Sequence, residues 1–399
     1  MKFSKYILAA FIAPLFAACS EDELGPSIFP EVSDEPDPAS YTYKFDKWLN
    51  DNFRDVYNVD FKYLMEDVEA DMEYNLVPAT FDKAKDLALL TKYLWYDSYD
   101  ELTGKDFIKS YGPRILHLVG SPAYNPSTGT ETLGLAEGGL KVTLFKVNEM
   151  DLSDINMMNE YYFRTMHHEF GHILHQTKSY PTDFNLLSNG RYDDSSWQQK
   201  QPGYVASLGF VTPYASSQAR EDFAETIANY LTRSQEQMDL ILWMAKQGWT
   251  TGSDKADGEL EDEDAIYYCY YYYDDPSNPE SKQYFLNSLE RTYGDYRMGV
   301  VGMNGEYMTT VEEVENYIEK VRERFAKDNI EIFPVEDKDK VDGYDVILNK
   351  QNIARNWFTD QWKISFDDLR DIVQRRQQDF NIEELRKEVD NIQVPAVAN

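Results

Sequence analysis

Thr165 to Gln176 reads TMHHEFGHILHQ and holds four of the five histidines in the 399-residue chain. Within it His168, Glu169 and His172 form an H-E-x-x-H pattern. On a helix, residues four apart lie one turn apart on one face, so the two imidazoles point the same way with a carboxylate beside them. That donor set suits a zinc ion and the water it would activate. H-E-x-x-H fixes only three residues, so the reading needs a third ligand from elsewhere in the chain.

Three zinc architectures make different demands on the residues after His172. A metzincin needs Gly three residues later and a third His six residues later; those positions hold His175 and Lys178. An aspzincin needs an Asp in a Gly-Thr-x-Asp type of context, and the chain has none. A gluzincin takes a Glu from a later helix, commonly with an acidic residue four positions on. Ala219 to Arg233 (AREDFAETIANYLTR) reads as such a helix, with Phe223, Ile227 and Leu231 on one face and Glu221 and Glu225 one turn apart. Glu221 is then the expected metal ligand, and Glu225 the acceptor for a hydrogen bond from a ligand histidine. Ala224 and Ala228 leave room for close approach to the first helix. Standing alone, EDFAE would read as a solvated acidic first turn favoured by the helix dipole; after H-E-x-x-H, with no competing ligand, the metal reading is preferred. His175, seven residues after His168, falls near the same face. A fourth protein ligand would close the position a catalytic zinc keeps for water, so His175 is expected beside a ligand or in the substrate pocket.

The composition supports a packed core: 42% hydrophobic residues with 15% aromatics. A formal charge of −32, from 71 acidic against 39 basic residues, argues against nucleic acid, whose phosphates need Lys and Arg to displace counterions. Cys19 and Cys269 are the only cysteines, too few for a disulfide framework. Residues 1–18 (MKFSKYILAAFIAPLFAA) carry Lys2 and Lys5, an apolar run and small residues just before Cys19, the layout of an export signal. The run from Tyr6 to Ala18 is too short for the ~20 residues that span a bilayer as a helix. Phe16-Ala17-Ala18-Cys19 resembles a lipoprotein box, which makes Cys19 the lipidated first residue of the mature chain. Residues 19–40 are rich in Pro, Ser, Asp and Glu and read as a flexible tether.

The fold is expected to begin near Tyr41 and to continue as one domain over 41–399, with a helical C-terminal part from about 276. Asp82 to Tyr96 and the region around Phe45 to Phe53 show helical spacing. Arg114 to Val119 and Leu140 to Val147 read as strands, with a turn-rich stretch at Asn125 to Thr132 and Gly138-Gly139 between them. The second strand, just before the H-E-x-x-H helix, is either a candidate edge for pairing with an extended substrate or a sheet strand with no substrate role. Asp151 to Asp154 supply caps for a helix from about Ile155 through His175. The acidic cluster Asp254 to Asp264 fails the spacing of a calcium loop and reads as solvated; Tyr267 to Tyr273 reads as a buried aromatic segment. Val311 to Lys327, Val346 to Phe358 and Asp367 to Arg376 are further helices. The fold class is α+β, predominantly helical, with a small mixed sheet.

The order HEFGH, then Tyr214, six residues, Glu221, three residues and Glu225 resembles the lethal-factor-like branch of the gluzincins. That resemblance implies metal ligands at His168, His172 and Glu221, the catalytic base at Glu169, and at Tyr214 a phenol facing the metal as oxyanion stabiliser or proton donor. More broadly, the lipoprotein box, YNLVPATFDKA at Tyr74 to Ala84, HHEFGHILHQ, VTPYA, EDFAE and LNKQNIARNWF resemble the zinc-binding metallopeptidase lipoproteins, the substrate-import-associated zinc metallohydrolases. The similarity spans nearly the whole mature chain. It implies a zincin-like domain with one catalytic Zn2+, on an outer-membrane lipoprotein that accompanies TonB-dependent nutrient uptake. The acidic run Ser20 to Glu23 after Cys19 resembles a surface-export signal, which would expose the protein on the cell surface, the alternative being that it faces the periplasm. The implied partners are a peptide or glycopeptide substrate, a TonB-dependent transporter and its surface lipoprotein, with membrane contact through the lipid alone. Two other readings stay open: a non-catalytic zinc-binding component of such an uptake complex, and a zinc hydrolase of a non-peptide amide or ester.

Overall fold

The computed structural model describes residues 35–65, 76–124, 131–132, 134–137, 140–247, 258–261, 268–273, 275–286, 299–302, 305–333 and 341–396. The export signal, Cys19 and most of the tether lie outside the described residues, as do the turn at 125–130, Gly138-Gly139 and the ends of the acidic cluster. No helix among the described residues is long and apolar enough to cross a membrane. The chain divides into two compact units, Met1–Lys47 with Gln393–Asn399, and Trp48–Ile392. In the first, the Thr42 hydroxyl donates to Asp46 at 2.6 Å at the start of a helix that opens at Tyr43. Every candidate metal-ligating and catalytic residue belongs to the second.

The second unit is predominantly helical with small sheets, as the sequence pattern predicts. Its first sheet has the order β1 (Asp60–Lys62), β2 (Ile115–Leu118), β4 (Lys141–Leu144) and β3 (Gly134–Glu137). β1, β2 and β4 run parallel and β3 runs antiparallel to β4. Leu116, His117 and Leu118 of β2 and Val142, Thr143 and Leu144 of β4 are all buried, the continuous burial of strands covered on both faces. This corrects the expected edge. The strand just before the H-E-x-x-H helix is interior, flanked by β2 and β3, and the edge belongs to β3, which lies against that helix. The chain makes a hairpin there, so the strand nearest in sequence is one place removed in space.

A second sheet orders as β8 (Ile332–Phe333), β7 (Lys282–Leu286), β6 (Tyr268–Tyr273) and β5 (Gly258–Glu261). Part of the acidic cluster expected to be loop is therefore a strand: Glu259 and Glu261 pair with Tyr270 and Tyr268 across an antiparallel ladder. The aromatic run takes the middle of this sheet; the burial expected of Tyr268 to Tyr272 lies outside what is described.

The H-E-x-x-H helix starts at Ile155, where the Asp154 carboxylate accepts from the amides of Asn156 (3.0 Å) and Met157 (3.1 Å). From this first segment, α1 (Ile155–Met158), it passes through a wider turn at Asn159–Phe163 and continues as α2, Arg164–Thr177. Met166, Phe170, Ile173 and Leu174 bury one face of α2. Gly171 lets α2 approach α4 (Ala219–Thr232): a Cβ there would sit 3.5 Å from the Ala224 Cα, so a methyl would just touch and a larger group would push the helices apart. The C-terminal helices α7 (Gly343–Trp357) and α8 (Phe366–Asp379) pack on the other side of α4. Trp357 donates to the carbonyls of Lys178 (3.1 Å) and Ser179 (3.2 Å), just past the end of α2. At the start of α7 a Cβ on Gly343 would meet the Ala206 carbonyl oxygen at 2.3 Å, so only glycine fits against α3 (Pro202–Ser207). A separate apolar core joins α3 to α5 (Gln235–Gln247) and α6 (Val311–Ala326) through Val205, Ile241, Met244, Val314 and Val321.

His167 lies in an aromatic core. Its ring lies 5.7 Å from Tyr99 and 6.4 Å from Trp95, with Nδ1 at 3.0 Å from the Tyr99 hydroxyl. Burial pushes its pKa from 6.5 down to about 3, so the folded protein holds it neutral. A depressed folded pKa contributes stability that is present above pH 6.5 and is lost as pH falls toward 3, at about 1.4 kcal/mol per pH unit. His167→Phe is expected to flatten that acid loss: the drop in urea midpoint between pH 7 and pH 5 should be smaller than in the parent, and an equal drop would show that His167 is charged in the fold.

Candidate metal centre

α2 and α4 bring three side chains to one point. His168 Nε2 lies 3.0 Å from His172 Nε2, and Glu221 Oε2 lies 3.2 Å from the first and 3.0 Å from the second. The two rings stand edge to face, 4.7 Å between centroids. These three residues could hold a metal ion, their donor atoms falling within 4.8 Å of one another. The chemistry of the set fits zinc: two imidazole nitrogens and one carboxylate oxygen are the three-ligand set of a catalytic site, with a position left for water. His168 and Glu221 are buried and His172 partly so.

Each imidazole is oriented through its other nitrogen. His168 Nδ1 meets Glu225 Oε1 at 2.8 Å, a bond that would keep the proton on Nδ1 and turn the Nε2 lone pair to a metal ion once one is bound. His172 Nδ1 meets His175 Nε2 at 2.9 Å, with the same effect. His175 is suited to accept that bond, because burial, and after it the His172 charge, lowers its pKa to about 4 and keeps it neutral. The structure thus places His175 behind His172 and outside the converging set.

Glu225 is buried and fully engaged. Besides His168 it accepts from Arg164 Nη1 (3.0 Å), the Thr212 hydroxyl (2.7 Å) and Asn229 Nδ2 (3.1 Å). Burial alone would raise its pKa, but the Arg164 charge and the bonds from His168 and Thr212 hold it well below the usual carboxylate range. For Glu221, burial is likewise outweighed by hydrogen bonds from His168 and His172. Glu169 differs from both. It is half-buried, makes no hydrogen bond among the described residues, and burial raises its pKa, opposed by the charges of His168 and His172. That is the environment of a proton acceptor with a free oxygen.

Tyr214 sits on a single helical turn, Tyr214–Ser216, with its ring 5.7 Å from His168. Thr212 ties this turn to the centre: its hydroxyl accepts from the Ala215 amide at 3.1 Å while donating to Glu225. Burial, and then the Glu221 charge, raises the phenol's pKa, so Tyr214 keeps its proton as a donor. The half-buried Trp197 packs against the Tyr214 ring at a tilt of 60°, 4.8 Å between centroids. Residues that the sequence reading missed are Arg164, Thr212 and Asn229 around Glu225, Trp197 against Tyr214, and Arg220 beside Glu221. Spacing held the signal for two of them: Arg164 lies four residues before His168, and Asn229 four after Glu225.

A family model described as "Putative zinc-binding metallo-peptidase" matches residues 39–274. A crystal structure of a zinc-binding metallo-peptidase of that same description, from Bacteroides caccae, is 30% identical in sequence and superposes with a TM-score of 0.55, covering 92% of this chain and 98% of that one. The chain belongs to this family. No curated protein matches it. The match covers every member of the metal centre, from Arg164 to Asn229, while α7 and α8, which brace α4, lie beyond residue 274.

The bond from His168 to Glu225 gives the first test of this centre. Glu225→Gln is expected to lower zinc affinity about 10- to 100-fold, measured by competition with a chromophoric chelator, because an amide orients the imidazole less firmly. Unchanged affinity would show that Glu225 does not act through His168.

Proposed function

We propose that the protein is a zinc-dependent peptidase of the gluzincin type, a lipoprotein of the bacterial outer membrane that works in nutrient uptake. The observation that carries the chemistry is the convergence of His168 Nε2, His172 Nε2 and Glu221 Oε2 beside Glu169, a carboxylate that makes no hydrogen bond among the described residues. The localisation rests on the export signal and lipoprotein box of residues 1–19. Zinc bound there would supply Lewis acidity and bring the pKa of a water from 15.7 to about 7.

The chain's own groups do the rest. Glu169 accepts the proton of the attacking water and passes it to the leaving amine, two transfers that need one carboxylate with a free oxygen. The Tyr214 hydroxyl donates to the carbonyl oxygen as negative charge gathers there. Glu225 and His175 hold the protons of His168 Nδ1 and His172 Nδ1 in place, so neither imidazole reorients during turnover. β3 supports a peptide as substrate: among the described residues it is the outer strand of its sheet on the side of α2, and an extended chain can pair with such an edge through main-chain hydrogen bonds.

Glu169→Gln should abolish cleavage of a peptide library while zinc stays bound one to one. Cleavage by that variant would contradict the assignment. Tyr214→Phe should lower kcat by about 10²- to 10³-fold, the usual loss on removing one donor to an oxyanion; an unchanged kcat would remove Tyr214 from the reaction.

A further inference from the structure

Arg220 stands in the first turn of α4, immediately before the ligand Glu221. Its Nε lies 3.1 Å from Glu221 Oε1, the carboxylate oxygen that does not face the two histidines. That one bond is all the structure gives it, so both Nη groups are without a partner among the described residues. The side chain is 62% exposed.

Arg164 provides the contrast within the same site. It also touches a carboxylate of the centre, but it places both Nη groups on carboxylates, Glu225 at 3.0 Å and Glu160 at 2.7 Å, and is only 12% exposed. Arg164 is built to hold its neighbours. Arg220 touches the ligand Glu221 with its inner nitrogen, and its mostly exposed side chain leaves the outer pair of nitrogens without a partner among the described residues. A guanidinium presents parallel N–H donors that match the two oxygens of a carboxylate, and each charge-assisted bond is about twice as strong as a neutral one. The position also matters in a chain of formal charge −32, whose exterior otherwise repels anions.

We propose that Arg220 anchors a carboxylate that the substrate carries next to the bond to be cut. This rests on the peptidase reading above and narrows it to substrates that are anionic at that point. The carboxylate comes either from the free C-terminus of a peptide, which makes the enzyme trim chain ends, or from an acidic side chain within it.

The test uses the full chain loaded with zinc and three dipeptide hydroxamates, each docking its hydroxamate on the metal. One has a free C-terminal carboxylate, one is the C-terminal amide, and one is the amide with Asp as its second residue. Calorimetry is expected to show about tenfold tighter binding of one carboxylate probe than of the plain amide, the size of one charge-assisted hydrogen bond. The probe that shows it identifies the source. In Arg220→Gln the ratio should fall to near one, and Arg220→Lys should restore part of it. Equal binding of all three probes by the parent protein, or a preference that survives in Arg220→Gln, overturns the inference and leaves the zinc site standing. If Arg220→Gln weakens all three alike, Arg220 only holds Glu221 and the inference fails. If no probe binds the parent, the zinc site itself is refuted, and the inference with it.

Discussion

A carboxylate that stays ionised away from water must have its charge answered on every side, and Glu225 is where this protein meets that demand. Arg164, Thr212, Asn229 and His168 all bond to it. The bonds continue into a ring: Arg164 reaches Glu160, Glu160 takes Arg233, and Arg233 Nε returns to the Asn229 side-chain oxygen at 3.1 Å. Each link fixes something the centre needs. His168 gains its tautomer, the Tyr214 turn is tied down through Thr212, and the Arg164 and Glu160 links join the H-E-x-x-H helix to α4. Removing one partner from such a network leaves buried charge uncompensated, so its members stand or fall together.

The adjoining face of α4 carries a second buried pair. Asp222 meets Lys350 of α7 at 2.6 Å, the Tyr192 hydroxyl donates to Asp222 at 2.8 Å, and Lys350 also donates to the Gly209 carbonyl at 2.7 Å. Burial opposes charge on both, pushing Asp222 up to about 6 and Lys350 down, each countered by the other. Adjacent residues of one helix, about 100° apart around its axis, thus serve different neighbours, Glu221 the histidines and Asp222 the C-terminal helix α7. The C-terminal part braces the helix that delivers the third ligand, although it contributes nothing to the converging set.

Much of the centre was legible because its geometry is local. Two i, i+4 pairs, His168 with His172 and Glu221 with Glu225, need only a helix to set each on one face, and their residue types left few chemistries open. The helices carrying them were legible from caps such as Asp154 and from apolar stripes. What escaped depends on the third dimension. Thr212 and Lys350 sit inside VTPYA and LNKQNIARNWF, but their partners, like that of Trp197, lie on other elements, and no spacing within a segment names them. The sheet edge was misplaced because strand order is not sequence order. The strand at Gly258–Glu261 was hidden by an acidic composition, while α5 was overlooked even though Met238, Ile241, Met244 and Ala245 follow a helical spacing.

The central claim is a zinc ion held by two imidazole nitrogens and one carboxylate oxygen, with a position left for water. X-ray absorption at the zinc edge of the purified, zinc-loaded chain tests it most directly. The account predicts one zinc per chain, with nitrogen and oxygen donors at about 2.0–2.1 Å and the outer-shell scattering of two imidazoles. It also predicts that His168→Ala and Glu221→Ala each lose the ion. A spectrum showing sulfur at about 2.3 Å, or full zinc content in either variant, would contradict it.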